Sequence, residues 1–323
     1  MTSPSPVVVV TCLDDPTADL VISELARRRV PVVRLDPGDF PSEVTVRADL
    51  GESGLGGTLR TTTRSLALDH VRSVYWRRPR PYAGPPGLDS PESEWCAEQA
   101  RYGLGGILAA LLPESHYVNH PWANRAAEQK PAQLTAAAGG GFRVPPTLLT
   151  NDPRAARDFT EEYGRVVYKP LYNSDYADED GRALTVWVEE ITPDELNAGV
   201  AVTLHLFQQR VEKVADVRLT AVGDNLFAVR IDGSPGLDWR RHYDALRYTL
   251  IEAPPEIAKA VQAYLTHFRL TFGAFDFGLD PTGGWHFYEC NPNGQFAWFP
   301  DHITTRIVHA IADQLQQPHR GPR

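Results

Sequence analysis

Cysteine is scarce: Cys12, Cys96 and Cys290 are all that the chain carries. An odd count, with no pair at metal-ligand spacing, excludes a disulfide framework and a cysteine-based zinc site. Each cysteine reads as a small buried hydrophobe rather than a nucleophile. Positive charge is also in deficit, with 32 Lys and Arg against 41 Asp and Glu and a formal net charge of -9. A general nucleic-acid binder would be basic, so any cationic site must be a local cleft. The run VVVV at Val7 to Val10 is far short of the ~20 apolar residues that a membrane helix needs. The opening MTSPSP has no basic region of the signal-peptide kind. A soluble cytoplasmic protein, bound to neither membrane nor nucleic acid, is the expectation. No internal repeat stands out. No glycine-rich turn follows the first strand, which removes a dinucleotide fingerprint.

These absences leave ample material for a core. The 323 residues, 42% of them hydrophobic, suffice for two or three domains. Val7 to Thr11, a helix over Thr17 to Arg29 and a strand over Val30 to Leu35 make a βαβ start. Val44 to Leu50 and Gly57 to Thr62 read as further strands. Ser73 to Trp76 is a strand that runs into Arg77, Arg78 and Arg80. Those arginines form either an exposed basic loop or an anion site at a strand end, where α/β ligands commonly bind. Glu92 to Leu112 reads as one helix with small residues in its second half, and Lys130 lies on a helical segment that Gly139 to Gly141 ends. Arg165 to Tyr168 is a strand ending at Lys169, placed to meet a phosphate as a point charge. Leu171 to Gly181 reads as a mobile loop, Thr185 to Val188 as a strand, and Leu204 to Gln208 as the strand leading into QRVEK. Asp216, Arg218 and Thr220 share one parity on the next strand, which turns at Gly223-Asp224-Asn225.

The densest signal is GAFDFGLDPTGGWHFYECNPNGQF, Gly273 to Phe296. Two apolar runs flank the turn former DPTGG. In the first, Phe275, Phe277 and Leu279 share a parity and Asp276 has the other. In the second, Trp285, Phe287, Glu289 and Asn291 share a parity, because strand side chains alternate. Asp276 reaches the same place only if register or a bulge allows. Two carboxylates and an amide oxygen would then form a hard oxygen site suited to Mg²⁺ and the phosphates it carries. The other reading is a polar hairpin end.

The order and spacing of YWRRP, Lys130, VVYKP around Lys169, LFQQRVEKVADVRLTAVGDNLFAVRID and DFG…FYECNPNGQF are similar to the ATP-grasp ligases. Within them the chain resembles the microviridin-type, or graspetide, synthetases that mature ribosomal peptides. The resemblance covers most of the chain. It implies a three-part ATP-grasp fold of α/β and α+β type: an N-terminal α/β pre-ATP-grasp domain over 1–120, a linker helix and small central α+β domain over 121–206, and a C-terminal α+β domain over 207–323. It places ATP between the last two parts. Lys130, Lys169 and Arg218 are expected at the phosphates, Gln209, Arg210 and Val211 along the adenine edge, and Glu212 at the ribose. Mg²⁺ is expected at Asp276, Glu289 and Asn291. Lys169, Arg218, Arg240 and Arg241 are the expected catalytic cations.

The implied reaction is activation of Asp or Glu side chains of a precursor peptide as acyl phosphates, followed by attack of Ser or Thr to give an ester, or of Lys to give an amide. The implied partners are a leader held by the central domain around Thr185 to Leu206, an acidic core, and a second copy of the chain in a homodimer. Two rivals stand beside this: an ATP-grasp ligase for free amino acids or a protein C-terminus, and a non-catalytic nucleotide-binding partner protein.

Overall fold

The computed structural model describes residues 5–113, 116–172, 176–177, 180, 182–234, 236–239 and 246–316. The N-terminal part opens with β1 (Val7–Val10), α1 (Pro16–Arg27) and β2 (Val32–Leu35). Asp15 caps α1 by accepting from the Ala18 N–H, and Pro16 occupies the first turn, where its missing N–H costs nothing. A three-stranded antiparallel sheet of β3 (Thr45–Gly51), β4 (Gly54–Arg60) and β5 (Ser65–Ala67) follows. β6 (Ser73–Trp76) and β7 (Tyr117–Val118) complete a parallel sheet in the order β2-β1-β6-β7, with α2 (Ser90–Ala109) between them in sequence. All four residues of β1 are fully buried, as a central parallel strand requires.

Helices α3 (Pro121–Ala127) and α4 (Lys130–Gly140) lead to the central part. Gly141 ends α4 at φ +99°, a left-handed cap suited to glycine. The central sheet has the order β12-β9-β13-β8, from β8 (Thr147–Thr150), β9 (Val166–Lys169), β12 (Glu189–Ile191) and β13 (His205–Gln209). Helix α5 (Pro153–Tyr163) covers one face, packed on Val166, Leu196, Val200 and Phe207. A short pair, β10 (Tyr176–Ala177) and β11 (Ala183–Leu184), precedes β12. Thr185 to Val188, expected as a strand, forms none. Those four residues line a cavity instead, and the pairing with β9 starts only at Glu189.

The C-terminal part is a five-stranded antiparallel sheet in the order β16-β15-β14-β17-β18. Its strands are β14 (Ala215–Val222), β15 (Asn225–Asp232), β16 (Arg247–Ile251), β17 (Phe272–Leu279) and β18 (Trp285–Asn291), with α6 (Pro255–Phe268) and α7 (Asp301–Gln316) packed on it. One face carries Val217, Leu219, Phe275, Phe277 and Phe287 against α6 and Phe142. The other face is divided. At one end Val222, Phe272 and Phe296 join α7, α1 and β1 in a core shared with the N-terminal part. At the other end the same face carries Asp216, Arg218 and Asp276.

Phe287 is fully buried, with its ring 5.2 Å from and nearly parallel to Phe142. Phe287→Ala should therefore lower the unfolding free energy by about 3–5 kcal/mol. Urea titration should show this as a lower midpoint at unchanged slope.

Candidate active site

A cavity of about 270 Å³ lies between the central sheet and the C-terminal sheet. Its first wall comes from β9 and β13. Alternation sends Val166, Tyr168 and Phe207 toward α5 and leaves Val167, Lys169 and Gln208 on the cleft side, where all three line the cavity. Lys169 is 9% exposed and donates to the Gln208 side-chain oxygen at 3.4 Å. Gln208 is held in turn by a bond from its amide to Thr147 Oγ1 at 2.9 Å. The edge of this wall is the crossing strand Gln209-Arg210-Val211. Val211 lines the cavity, and its N–H makes no hydrogen bond among the described residues, which leaves a backbone donor of the kind a flat heterocycle would need.

The second wall is the cleft end of the large sheet, and its geometry depends on a register shift. Phe277 pairs with Phe287, and the next pair is Asp276 with Glu289, leaving Tyr288 as an extra residue on β18. This is a β-bulge. Strict alternation would send Glu289 the same way as Trp285 and Phe287, into the apolar core. The bulge reverses the facing between Phe287 and Glu289. Glu289 thus lies opposite Asp276 on the cleft face, with Asn291 two residues on, and all three line the cavity.

Two carboxylates directly opposite on neighbouring strands repel. Here each is met by a cation. Arg218 Nη1 lies 2.7 Å from Asp276 Oδ2, and Lys130 Nζ lies 2.7 Å from Glu289 Oε2. Such a pair, with a nearby amide oxygen, is a donor set that a small hard cation would satisfy. Arg218 Nε is buried without a hydrogen-bond partner among the described residues. Arg218 lies one layer beneath the cavity wall, not on it.

Asp216 is a further wall residue to which the sequence pattern assigned no role. Burial pushes its carboxyl up to about 6, against the pull of the Lys213 ammonium 2.6 Å away, with Asp276 and Asp238 adding to the rise. Burial also raises the phenol of Tyr288, and the nearby Asp216 charge adds to it. Trp239 also lines the cavity, its ring 4.8 Å from that of Trp298 at a tilt of 38°.

Eight of the expected residues thus share one cavity: Lys130, Lys169, Gln209, Arg210, Val211, Asp276, Glu289 and Asn291. Glu212 stands apart, 64% exposed and paired with Arg165 at 2.7 Å. Arg240 and Arg241 lie outside the described residues. The arginines after β6 do not form a joint anion site. Arg77 is buried, 3.4 Å from Asp15, and donates to the backbone oxygens of Asn293 and Gly294. Arg80 pairs with Asp36 and Asp39, and Arg78 is exposed.

Comparison with known proteins agrees with this geometry. Residues 7–125 match the family described as the MvdD pre-ATP grasp domain. No curated protein matches the chain. Among solved structures, the macrocyclase MdnC bound with precursor peptide MdnA from Microcystis aeruginosa MRC is 27% identical. The match covers 97% of this chain and 100% of that one, with a TM-score of 0.86. The chain thus carries an MvdD-type pre-ATP grasp domain and is similar, over nearly its whole length, to an ATP-grasp peptide macrocyclase. Two other structures share the ligase fold. A Chryseobacterium gregarium RiPP-associated ATP-grasp ligase in complex with ADP and a leader and core peptide is 24% identical, with 99% and 98% coverage and a TM-score of 0.87. The ATP-grasp ligase PsnB, complexed with a phosphomimetic variant of minimal precursor, Mg and ADP, is 24% identical, with 96% and 99% coverage and a TM-score of 0.73.

The raised Asp216 has a thermodynamic consequence for the ligase alone, without nucleotide or divalent ion. Its folded pKa lies above the unfolded value of 3.8, so between the two the folded state binds the extra proton. Stability from this group is therefore present at low pH and lost as pH rises toward about 6. Relative to Asp216→Asn, the wild-type unfolding free energy should fall by up to about 3 kcal/mol between pH 4 and pH 6.5. Parallel urea titrations across that range would show it, and parallel curves for the two proteins would contradict the assignment.

Proposed function

We propose that this ligase uses ATP and Mg²⁺ to activate Asp or Glu side chains of a ribosomally made precursor peptide as acyl phosphates. Thr or Ser side chains then form esters, or Lys side chains amides. The observation that carries the reading is the cavity itself. It sets Lys130 and Lys169 beside the Asp276, Glu289 and Asn291 oxygens, opposite a hinge backbone with an open donor at Val211. ATP supplies the phosphoryl group that makes a carboxylate carbonyl attackable, and Mg²⁺ neutralises phosphate charge. The chain supplies positioning and charge. Asp276, Glu289 and Asn291 would hold the ion. Lys169, from the central sheet, and Lys130, from the start of α4, would face phosphate oxygens. Arg218 would hold Asp276 in place from beneath. Arg240 and Arg241 are proposed as the cations that receive the substrate carboxylate. Glu212, from its exposed position, is kept as the candidate at the ribose.

The peptide substrate is supported by the neighbours: MdnC is bound with its precursor peptide, and the Chryseobacterium ligase with a leader and a core peptide. The leader is assigned to the central part around Thr185 to Leu206. The division at residues 120 and 206, a cytoplasmic location and a homodimer belong to the same reading. No helix among the described residues is long and apolar enough to cross a membrane. Helix α2 exposes Trp95 and Tyr102 and is the candidate contact between two copies.

The test is mass spectrometry of the cognate precursor incubated with enzyme, ATP and Mg²⁺. Each bond formed should remove one water, and mild base should reopen esters but not amides. Glu289→Ala should abolish ADP release while the protein stays folded. Efficient ligation of free amino acids, with the precursor unchanged, would replace this reading.

A further inference from the structure

The nucleotide reading leaves Tyr288, a large side chain that lines the cavity, without a role. Tyr288 is the extra residue of the bulge on β18, beside Glu289. Its ring lies across β17 above Gly278. A β-carbon at position 278 would meet the phenol oxygen at 2.1 Å and the ring at 2.7 Å, so only glycine leaves this space. From the opposite wall, Lys169 Nζ stands 5.2 Å from the centre of the Tyr288 ring. Lys169 belongs to the central sheet and Tyr288 to the large sheet, so the contact spans the cleft.

An ammonium over an aromatic face within ~6 Å is attracted by the ring quadrupole, more strongly when little water reaches it. Lys169 is 9% exposed. A lysine side chain has considerable rotamer freedom to lose before it meets a phosphate. A carboxylate could also hold it, but would cancel the charge and compete with the phosphate, as Glu289 does for Lys130 at 2.7 Å. A ring face orients the ammonium without placing an opposite charge of its own beside it.

We propose that Tyr288 is a positioning residue for Lys169, holding the ammonium in the cleft for a nucleotide phosphate. The inference rests on the nucleotide reading and adds a residue to it. Gly278 is its counterpart on β17, since the ring needs the space that a side chain there would fill.

The test is calorimetric titration of the full-length protein with ATP plus Mg²⁺ and, separately, with adenosine. Tyr288→Leu should weaken ATP about five- to tenfold and adenosine much less. Tyr288→Phe, which keeps the ring, should recover most of the loss. In a Lys169→Met background, Tyr288→Leu should weaken ATP no further. Gly278→Ala should reproduce the ATP defect from the other strand, and melting curves on each variant show that it is folded. Equal loss of ATP and adenosine would make Tyr288 a wall of the purine slot and overturn the inference. So would a Phe variant as weak as the Leu variant, or a Leu variant with wild-type affinity for ATP. Failure of the wild-type protein to bind ATP at all would overturn the nucleotide reading, and this inference with it.

Discussion

The site depends on one irregularity in backbone pairing. Between Phe287 and Glu289 the β18 strand carries an extra residue relative to β17. Without it, Glu289 would face the aromatic core formed by Phe275, Phe277, Phe287 and Phe142. An unpaired carboxylate there would be expelled or protonated, since burial of an isolated charge is prohibitive. With it, one strand serves both an apolar core and a carboxylate wall within three residues. The neighbouring strands follow from that choice. Arg218 on β14 and Asp276 on β17 stand in register with Glu289 on β18, so three adjacent strands form a row of charge whose two carboxylates line the cleft.

Charge in that row is balanced locally. Arg218 answers Asp276, Lys130 answers Glu289 and Lys213 answers Asp216. Each contact is a charge-assisted hydrogen bond of good length, which keeps a concentrated set of carboxylates tolerable in a chain whose overall charge is already negative. The opposite wall is built differently. Lys169 meets the Gln208 side-chain oxygen and the ring of Tyr288, and Thr147 holds Gln208 in place. Lys130 and Lys169 thus differ in setting: the first is paired with a carboxylate of the opposite strand face, and the second stands against an amide oxygen and a ring.

Much of this was legible in the sequence, because local chemistry set it. The DPTGG turn, the strand-end position of Lys169, the parity of Asp216 and Arg218 and the glycine stop at Gly141 all follow from short-range rules. What escaped was set at long range. Alternation counted along WHFYECN puts Glu289 beside Phe287, and only pairing with β17 reveals the bulge. Tyr288 had no role in that pattern, and its dependence on Gly278 connects residues on different strands. Arg77 resembled a free basic edge, but Asp15 and the backbone of 293–294 satisfy it, from the far ends of the chain. Thr185 to Val188 has strand-like composition but no partner strand at that point.

The shared core of α1, β1, α7 and the large sheet bears on how the cleft can change its width. The N-terminal and C-terminal parts are joined there by buried apolar packing, and again by Arg77 and by Asn119, whose amide bonds the backbone of Thr271, Phe272 and Pro292. The central lobe keeps a core of its own and meets the rest of the chain through two crossings, at 142–146 and 210–214. By packing, the three sequence segments thus form two bodies. The larger combines the first and last segments, and the smaller is the lobe that carries Lys169. The first and last described elements, β1 and α7, pack in that one body, so a rotation of the small lobe would carry Lys169 relative to the carboxylates and leave the packing of both elements intact.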